Sequence, residues 1–201
     1  PTDEAEQILE LARSVGIRLV DTASAYGTAE AFLGSNDHSG HFRIVTKTSA
    51  ATPEEVRSAF EQSAARLKVS RLDTMLLHNA AALECESVWT AMHAAKSEGM
   101  VDSIGVSLYY PSDWDLIRAV SEKTATPLPD VVQLPLSVFD QRFLSLLPEM
   151  AQSGVEVHVR SVFLQGLGFA SPNEGHPKIP ELTPHLRELV GIERSLGLAR
   201  A

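Results

Sequence analysis

The chain has 201 residues, 44% of them hydrophobic and 21% charged, which suits a globular protein with one sizeable core. It holds no uninterrupted apolar run of the ~18 residues that a transmembrane helix needs. A net charge of -9 with scattered basic residues argues against nucleic acid or an anionic membrane as partner. The single Cys85 excludes an internal disulfide and a cysteine-based metal cage. Together with the polar, acidic opening Pro1-Thr2-Asp3-Glu4, it leads us to expect a cytoplasmic protein acting on a small molecule.

Short β-branched runs alternate with helical stretches almost throughout. Residues 3–15 form the first predicted helix, with Thr2 as cap, acidic residues in the first turn and an apolar face of Ile8, Leu9, Leu11 and Ala12. Gly16 ends it, and Ile17-Arg18-Leu19-Val20-Asp21-Thr22 reads as a strand. A short helix over 29–33 stops at Gly34, and Phe42-Arg43-Ile44-Val45-Thr46-Lys47 is the next strand. Thr52-Pro53-Glu54-Glu55 combines a cap, a proline at the first helical position and a glutamate at capping-box spacing, predicting a helix to about Leu67. Strand 72–78, helix 86–97, strand 103–107 and helix 112–123 follow. Strand 131–134, helix 143–152, strand 155–163 and helix 183–196 complete the pattern.

Six strands, each entered from a helix, predict parallel pairing through right-handed crossovers. Their almost continuously apolar cores imply burial on both faces. A closed (β/α) barrel and an open doubly wound sheet both satisfy this pattern. No Gly-x-Gly-x-x-Gly follows the first strand, as an open dinucleotide-binding sheet would require. Asp21, Lys47, His78, Ser107 and Gln133 instead stand at successive strand ends, where barrel enzymes place their chemistry. The barrel is therefore preferred, as one domain over residues 1–201.

The run Asp21-Thr22-Ala23-Ser24-Ala25-Tyr26-Gly27-Thr28-Ala29-Glu30, completed by Leu33-Gly34, resembles the signature of the aldo-keto reductase family. Val45-Thr46-Lys47 resembles its lysine strand, Leu76-Leu77-His78 its histidine strand and Ile104-Gly105-Val106-Ser107 the strand after that. Val132-Gln133 and Gln165-Gly166-Leu167 are similar to later cofactor-site segments. The resemblance runs from the first helix to about Gly168 and implies a catalytic tetrad of Asp21, Tyr26, Lys47 and His78.

The chemistry of that set is coherent in itself. Carbonyl reduction needs a hydride at carbon and a proton for the developing alkoxide. A free phenol ionises near pH ~10, and a neighbouring ammonium makes it a better acid. Asp21 would keep Lys47 charged and in place, and His78 would donate a hydrogen bond to the substrate oxygen. The plain alternatives are a surface tyrosine, a structural ion pair and a satisfied core histidine. Four such residues together at strand ends favour the catalytic reading. His38, His41, His93, His158, His176 and His185 are assigned no function, and no metal site is expected.

The resemblance further implies cofactor contacts at Asp21, Ser107, Gln133, Arg160, Ser161, Gln165 and Gly166. Serine and glutamine offer the donors and acceptors that a nicotinamide amide needs. Gln165-Gly166 would lie along the pyrophosphate, where glycine allows close approach. There are two departures. Ser107-Leu108 stands where relatives commonly have Ser-Asn, and Arg160 where they commonly have a stacking tyrosine, although a guanidinium also stacks. Trp114 and Phe139 could line a pocket, and could equally belong to the core or the surface.

The implied fold class is α/β, a (β/α)8 TIM barrel incomplete in this chain, with about six strands present and the family's first and eighth strands lying outside it. A whole barrel of this class takes about 250 residues. The expected function is an oxidoreductase using NADP, or NAD, on an aldehyde, ketone or sugar. A non-catalytic barrel acting as a binding or assembly subunit is the alternative, with a cofactor-free isomerase or lyase as a third. The open sheet edge predicts possible self-association.

Overall fold

The computed structural model describes residues 2–35, 38–171 and 179–197; the predicted His176 lies outside them. The described residues belong to two compact units, Pro1–Leu134 with Arg142–His158, and Pro135–Gln141 with Val159–Ala201.

Helix and strand alternate along the chain. Helix α1 (Thr2–Ser14) precedes β1 (Leu19–Asp21), and α2 (Ala29–Gly34) precedes β2 (Arg43–Thr48). There follow α3 (Pro53–Leu67), β3 (Leu72–Leu77), α4 (Glu86–Ser97), β4 (Val101–Ser107), α5 (Pro111–Thr124), β5 (Val131–Pro135), α6 (Leu147–Gln152) and β6 (Glu156–Arg160). The strands form a sheet in the order β1-β2-β3-β4-β5-β6, and successive pairs from β1 to β5 are parallel. This is the α/β crossover pattern expected from the sequence, realised as six parallel strands.

Local chemistry explains most boundaries. Thr52 caps α3 by accepting the Glu55 N–H at 3.3 Å, with Pro53 opening the helix. The Glu55 carboxylate reaches past the cap to the Ala51 N–H at 2.8 Å, a variation on the reciprocal box. The structure corrects several element lengths: the strand expected over 17–22 is Leu19–Asp21, and the one expected over 103–107 begins at Val101. The helix expected over 143–152 begins only at Leu147, because Pro148 can open a helix but has no N–H to bond the Leu144 carbonyl, and residues 142–146 form turns. The strand expected over 155–163 stops at Arg160, because Ser161 takes a positive φ of 60°. The helix expected to be capped by Thr2 already includes that residue.

Alternation along parallel strands sorts side chains into layers. Val45, Leu76 and Val131 form a buried cluster, with Leu19 packed against it. Two residues further along the same strands stand Lys47, Gln133 and Asp21, and two beyond Leu76 stands His78. Gly105 lets β4 approach its neighbour, since a Cβ there would lie 1.9 Å from the Val131 carbonyl oxygen. Trp114 is core, fully buried with its Nε1 donating to Glu149 at 2.8 Å. In the larger unit the outer helical layer adds Val56, Phe60, Trp89, Met92 and Ile117 to the buried set.

The smaller unit contains a 3-10 segment at Leu164–Phe169 and helix α7 (Leu182–Ser195). Phe139 is half-buried there and lines a depression with Val138, Gln141, His185, Leu189 and Ile192. Among the described residues, no helix is long and apolar enough to cross a membrane.

Candidate active site

The polar ends of β1, β2, β4 and β5 share the sheet face whose lower layer is apolar. Asp21 is the last residue of β1 and Lys47 the fifth of β2. The Lys47 side chain is only 2% exposed, yet its ammonium is fully engaged. Nζ donates to both Asp21 carboxylate oxygens at 2.7 Å and to the Thr22 carbonyl at 2.8 Å. A buried ammonium is tolerated only when paired in this way. Gln133, buried in β5, donates its Nε2 to Asp21 Oδ1 at 2.7 Å. One carboxylate thus collects donors from strands far apart in sequence.

Tyr26 lies on the loop after β1. That loop is pinned to β2 through Ser24, whose N–H and Oγ both donate to the Lys47 carbonyl, at 3.1 and 2.9 Å. The Tyr26 ring is half exposed, and the Lys47 Nζ lies 5.4 Å from its centroid. His78 follows β3 directly and donates its backbone N–H to the Thr48 carbonyl at 2.8 Å. Its ring meets Tyr26 edge-on, with centroids 6.0 Å apart. Asp21, Tyr26, Lys47 and His78 are therefore brought together, from three successive strand ends.

Ser107 and Gln133 are both buried and stand opposite each other in the β4–β5 register. Leu108, in place of the asparagine common in relatives, is buried and donates its N–H to the Gln133 carbonyl at 2.7 Å. A serine hydroxyl and a glutamine carboxamide form a mixed donor and acceptor set that fits a primary carboxamide such as nicotinamide.

Arg160, Ser161, Gln165 and Gly166 belong to the smaller unit. There Arg160 donates Nη1 to Ser161 Oγ at 3.3 Å. Ser161, Leu164 and Gln165 have φ of 60°, 47° and 57°, and Gly166 has 85°. A run of left-handed non-glycine residues is uncommon and tends to mark functional segments.

Three residues of the signature run were given no individual role from the sequence. Thr22 supplies a carbonyl, Ser24 ties the tyrosine loop to β2, and Glu30 is buried with ties to Thr46 and Arg66. A signal for Glu30 existed, since it is the one charge in Ala29-Glu30-Ala31-Phe32-Leu33. His38, given no function, is fully buried between Glu6 and Arg13, its ring nitrogens 3.0 Å from each. No cluster of His, Cys, Asp and Glu suited to a metal occurs among the described residues.

A profile of the aldo/keto reductase family matches residues 1–196. The chain belongs to that family. An aldo-keto reductase of Mycobacterium sp. (strain KMS) is 32% identical over 181 residues, covering 86% of this chain and 63% of its own length. A methylglyoxal reductase of Salmonella typhimurium is 29% identical over 138 residues, or 66% of this chain and 50% of that protein. This aldo/keto reductase chain thus spans about half to two thirds of these relatives. In architecture it is similar to the glycerol dehydrogenase of Gluconobacter oxydans, with a TM-score of 0.80 at 20% identity, over 99% of this chain and 71% of that one. A second fold relative is an aldo-keto reductase of Bacillus halodurans, with a TM-score of 0.71 at 21% identity, over 83% of this chain and 60% of that one.

Proposed function

We propose that this chain carries the catalytic core of a nicotinamide-dependent oxidoreductase, using NADP or NAD to interconvert a small carbonyl compound and its alcohol. The reading takes the six strands as part of a (β/α)8 barrel. The observation that carries it is the buried Lys47 ammonium, clamped by Asp21 and Thr22 and set against the exposed ring of Tyr26, which is flanked by His78.

When bound, the nicotinamide cofactor would supply the hydride for the carbonyl carbon. Tyr26 gives its phenolic proton to the carbonyl oxygen, which completes the alcohol. Lys47 stabilises the phenolate left behind, and Asp21 holds the ammonium at a fixed place and charge. The half-exposed phenolate regains a proton from solvent. His78 hydrogen-bonds the substrate oxygen, orienting it and stabilising negative charge as it develops. Ser107 and Gln133 would hold the nicotinamide carboxamide. Arg160, Ser161, Gln165 and Gly166 are assigned to the cofactor on the family resemblance.

Methylglyoxal, named for a similar protein, is the first substrate to assay. Tyr26→Phe removes the proton donor alone, so kcat should fall by about 10²-fold or more while cofactor affinity stays nearly constant. Comparable turnover in variant and parent would eliminate Tyr26 as the acid. No saturable fluorescence quenching by either dinucleotide would leave the non-catalytic binding subunit. Turnover without nicotinamide would point to the isomerase or lyase class.

A further inference from the structure

We propose that Glu30 is a positioning residue, a buried carboxylate that sets the distance between the phenol of Tyr26 and the ammonium of Lys47. The proposal rests on the site described above and assigns a role to a titratable group that the reaction itself does not use. Glu30 sits in the first turn of α2 and is 2% exposed. Its Oε1 accepts a hydrogen bond from Thr46 Oγ1 at 2.6 Å, and its Oε2 accepts one from Arg66 Nε at 2.6 Å. Thr46 directly precedes Lys47, so the two side chains project from opposite faces of β2. The carboxylate therefore grips the lysine strand from behind.

The same carboxylate is coupled to the tyrosine by a short, internally bonded path. Tyr26 lies four residues before Glu30. Its N–H donates to the Ala23 carbonyl at 3.0 Å, and its carbonyl accepts the Ala29 N–H at 3.1 Å. A shift of Glu30 is carried to Tyr26 with little slack. The other end of α2 is referenced to the same place on α3. A Cβ on Gly34 would lie 2.1 Å from the Arg66 carbonyl oxygen, so helix and residue 66 meet without a side chain between them. Loop, strand and α3 thus converge on one carboxylate.

Simple adhesion of α2 would not call for this arrangement. Leu33, buried on the same helix, already supplies apolar contact. Desolvating a carboxylate is unfavourable unless directional partners compensate, and what directional partners add is a fixed position.

The experiment reads the ionisation of Tyr26 directly, in the protein expressed at its natural length. Phenolate absorbance is titrated in the parent, in Thr46→Val and in Glu30→Gln. Each is subtracted from its own Tyr26→Phe counterpart to isolate one phenol. Thr46→Val changes no charge and touches the carboxylate only through the lost hydroxyl, so a shift there reports position. In Glu30→Gln, loss of negative charge alone would lower the midpoint, whereas loss of position would raise it. We expect both midpoints to rise by about 0.5 pH unit, the effect of moving the phenol ~1–2 Å further from an ammonium 5.4 Å from the ring centroid. Unchanged midpoints with a lowered melting temperature would reduce Glu30 to a structural tie, and a fall in Glu30→Gln would overturn the proposal as well. Should Glu30→Gln fail to fold, Thr46→Val decides. The titration needs no turnover, so it stands or falls separately from the reductase reading, which fails if the parent shows no saturable binding of either dinucleotide.

Discussion

Asp21→Asn keeps the shape of the side chain and removes its charge, at the point where three donor bonds meet. The Lys47 ammonium donates to both carboxylate oxygens at 2.7 Å, and Gln133 Nε2 donates to Oδ1 at 2.7 Å. An asparagine has a single acceptor oxygen, so either the lysine or the glutamine must face an amide N–H. At an effective dielectric of ~20, unit charges 2.7 Å apart attract by about 6 kcal/mol. Asp21 is 38% exposed, so solvent screens part of this; the lysine, at 2%, has no such relief. The expected loss is about 2–4 kcal/mol, close to the cost of breaking a buried pair. Urea unfolding measures it, provided the slope m is unchanged between parent and variant. A loss under ~1 kcal/mol, the value typical of surface pairs, would refute the claim that Lys47 depends on Asp21 for its buried charge.

Other substitutions test the scaffold. Gly105→Ala would drive a Cβ to 1.9 Å from the Val131 carbonyl and 2.8 Å from Leu76 Cδ2. Because backbone stands on one side, the strands must part, and we expect at least ~3 kcal/mol of destabilisation by thermal melting. The pKa of His93 lies below its ordinary value of 6.5, chiefly through burial, with the Lys96 ammonium adding and the Asp130 carboxylate opposing. The unfolded chain then binds more protons just below pH 6.5, so stability falls as pH drops from 6.5 through the lowered value. In His93→Gln that decline should flatten; an unchanged slope in urea titrations would assign the acid sensitivity to other groups.

The fold was readable because its elements announce their own ends. Thr52-Pro53 opens α3, Glu86–Ser97 coincides with the predicted α4, and Gly99 with φ of 79° closes the turn after it. Where the reading overshot, a local term was underweighted. The helix expected over 143–152 ran too far back, because Pro148 has no N–H for the Leu144 carbonyl and residues 142–146 form turns instead. A strand through Val162 and Phe163 looked favourable by composition, yet both are exposed and Ser161 has already turned the chain. Composition reports what a pleated surface would accept; it does not report where the backbone turns.

The site was legible for a different reason. A strand has period two, so a residue two places beyond a core position must return to the same face. Leu19 to Asp21, Val45 to Lys47, Leu76 to His78 and Val131 to Gln133 are four instances of one step, from an apolar layer to a polar one. Strand assignment alone therefore predicts which polar groups meet. The supporting groups have no such rule. Glu30 finds Arg66 across 36 residues. That pairing follows from how α2 seats against α3, and no spacing in the sequence encodes that seating. Asp21, Lys47 and His78 could thus be placed on one face from periodicity, whereas Tyr26, on a loop, entered through the family resemblance, and what holds the four at their separations required the folded chain.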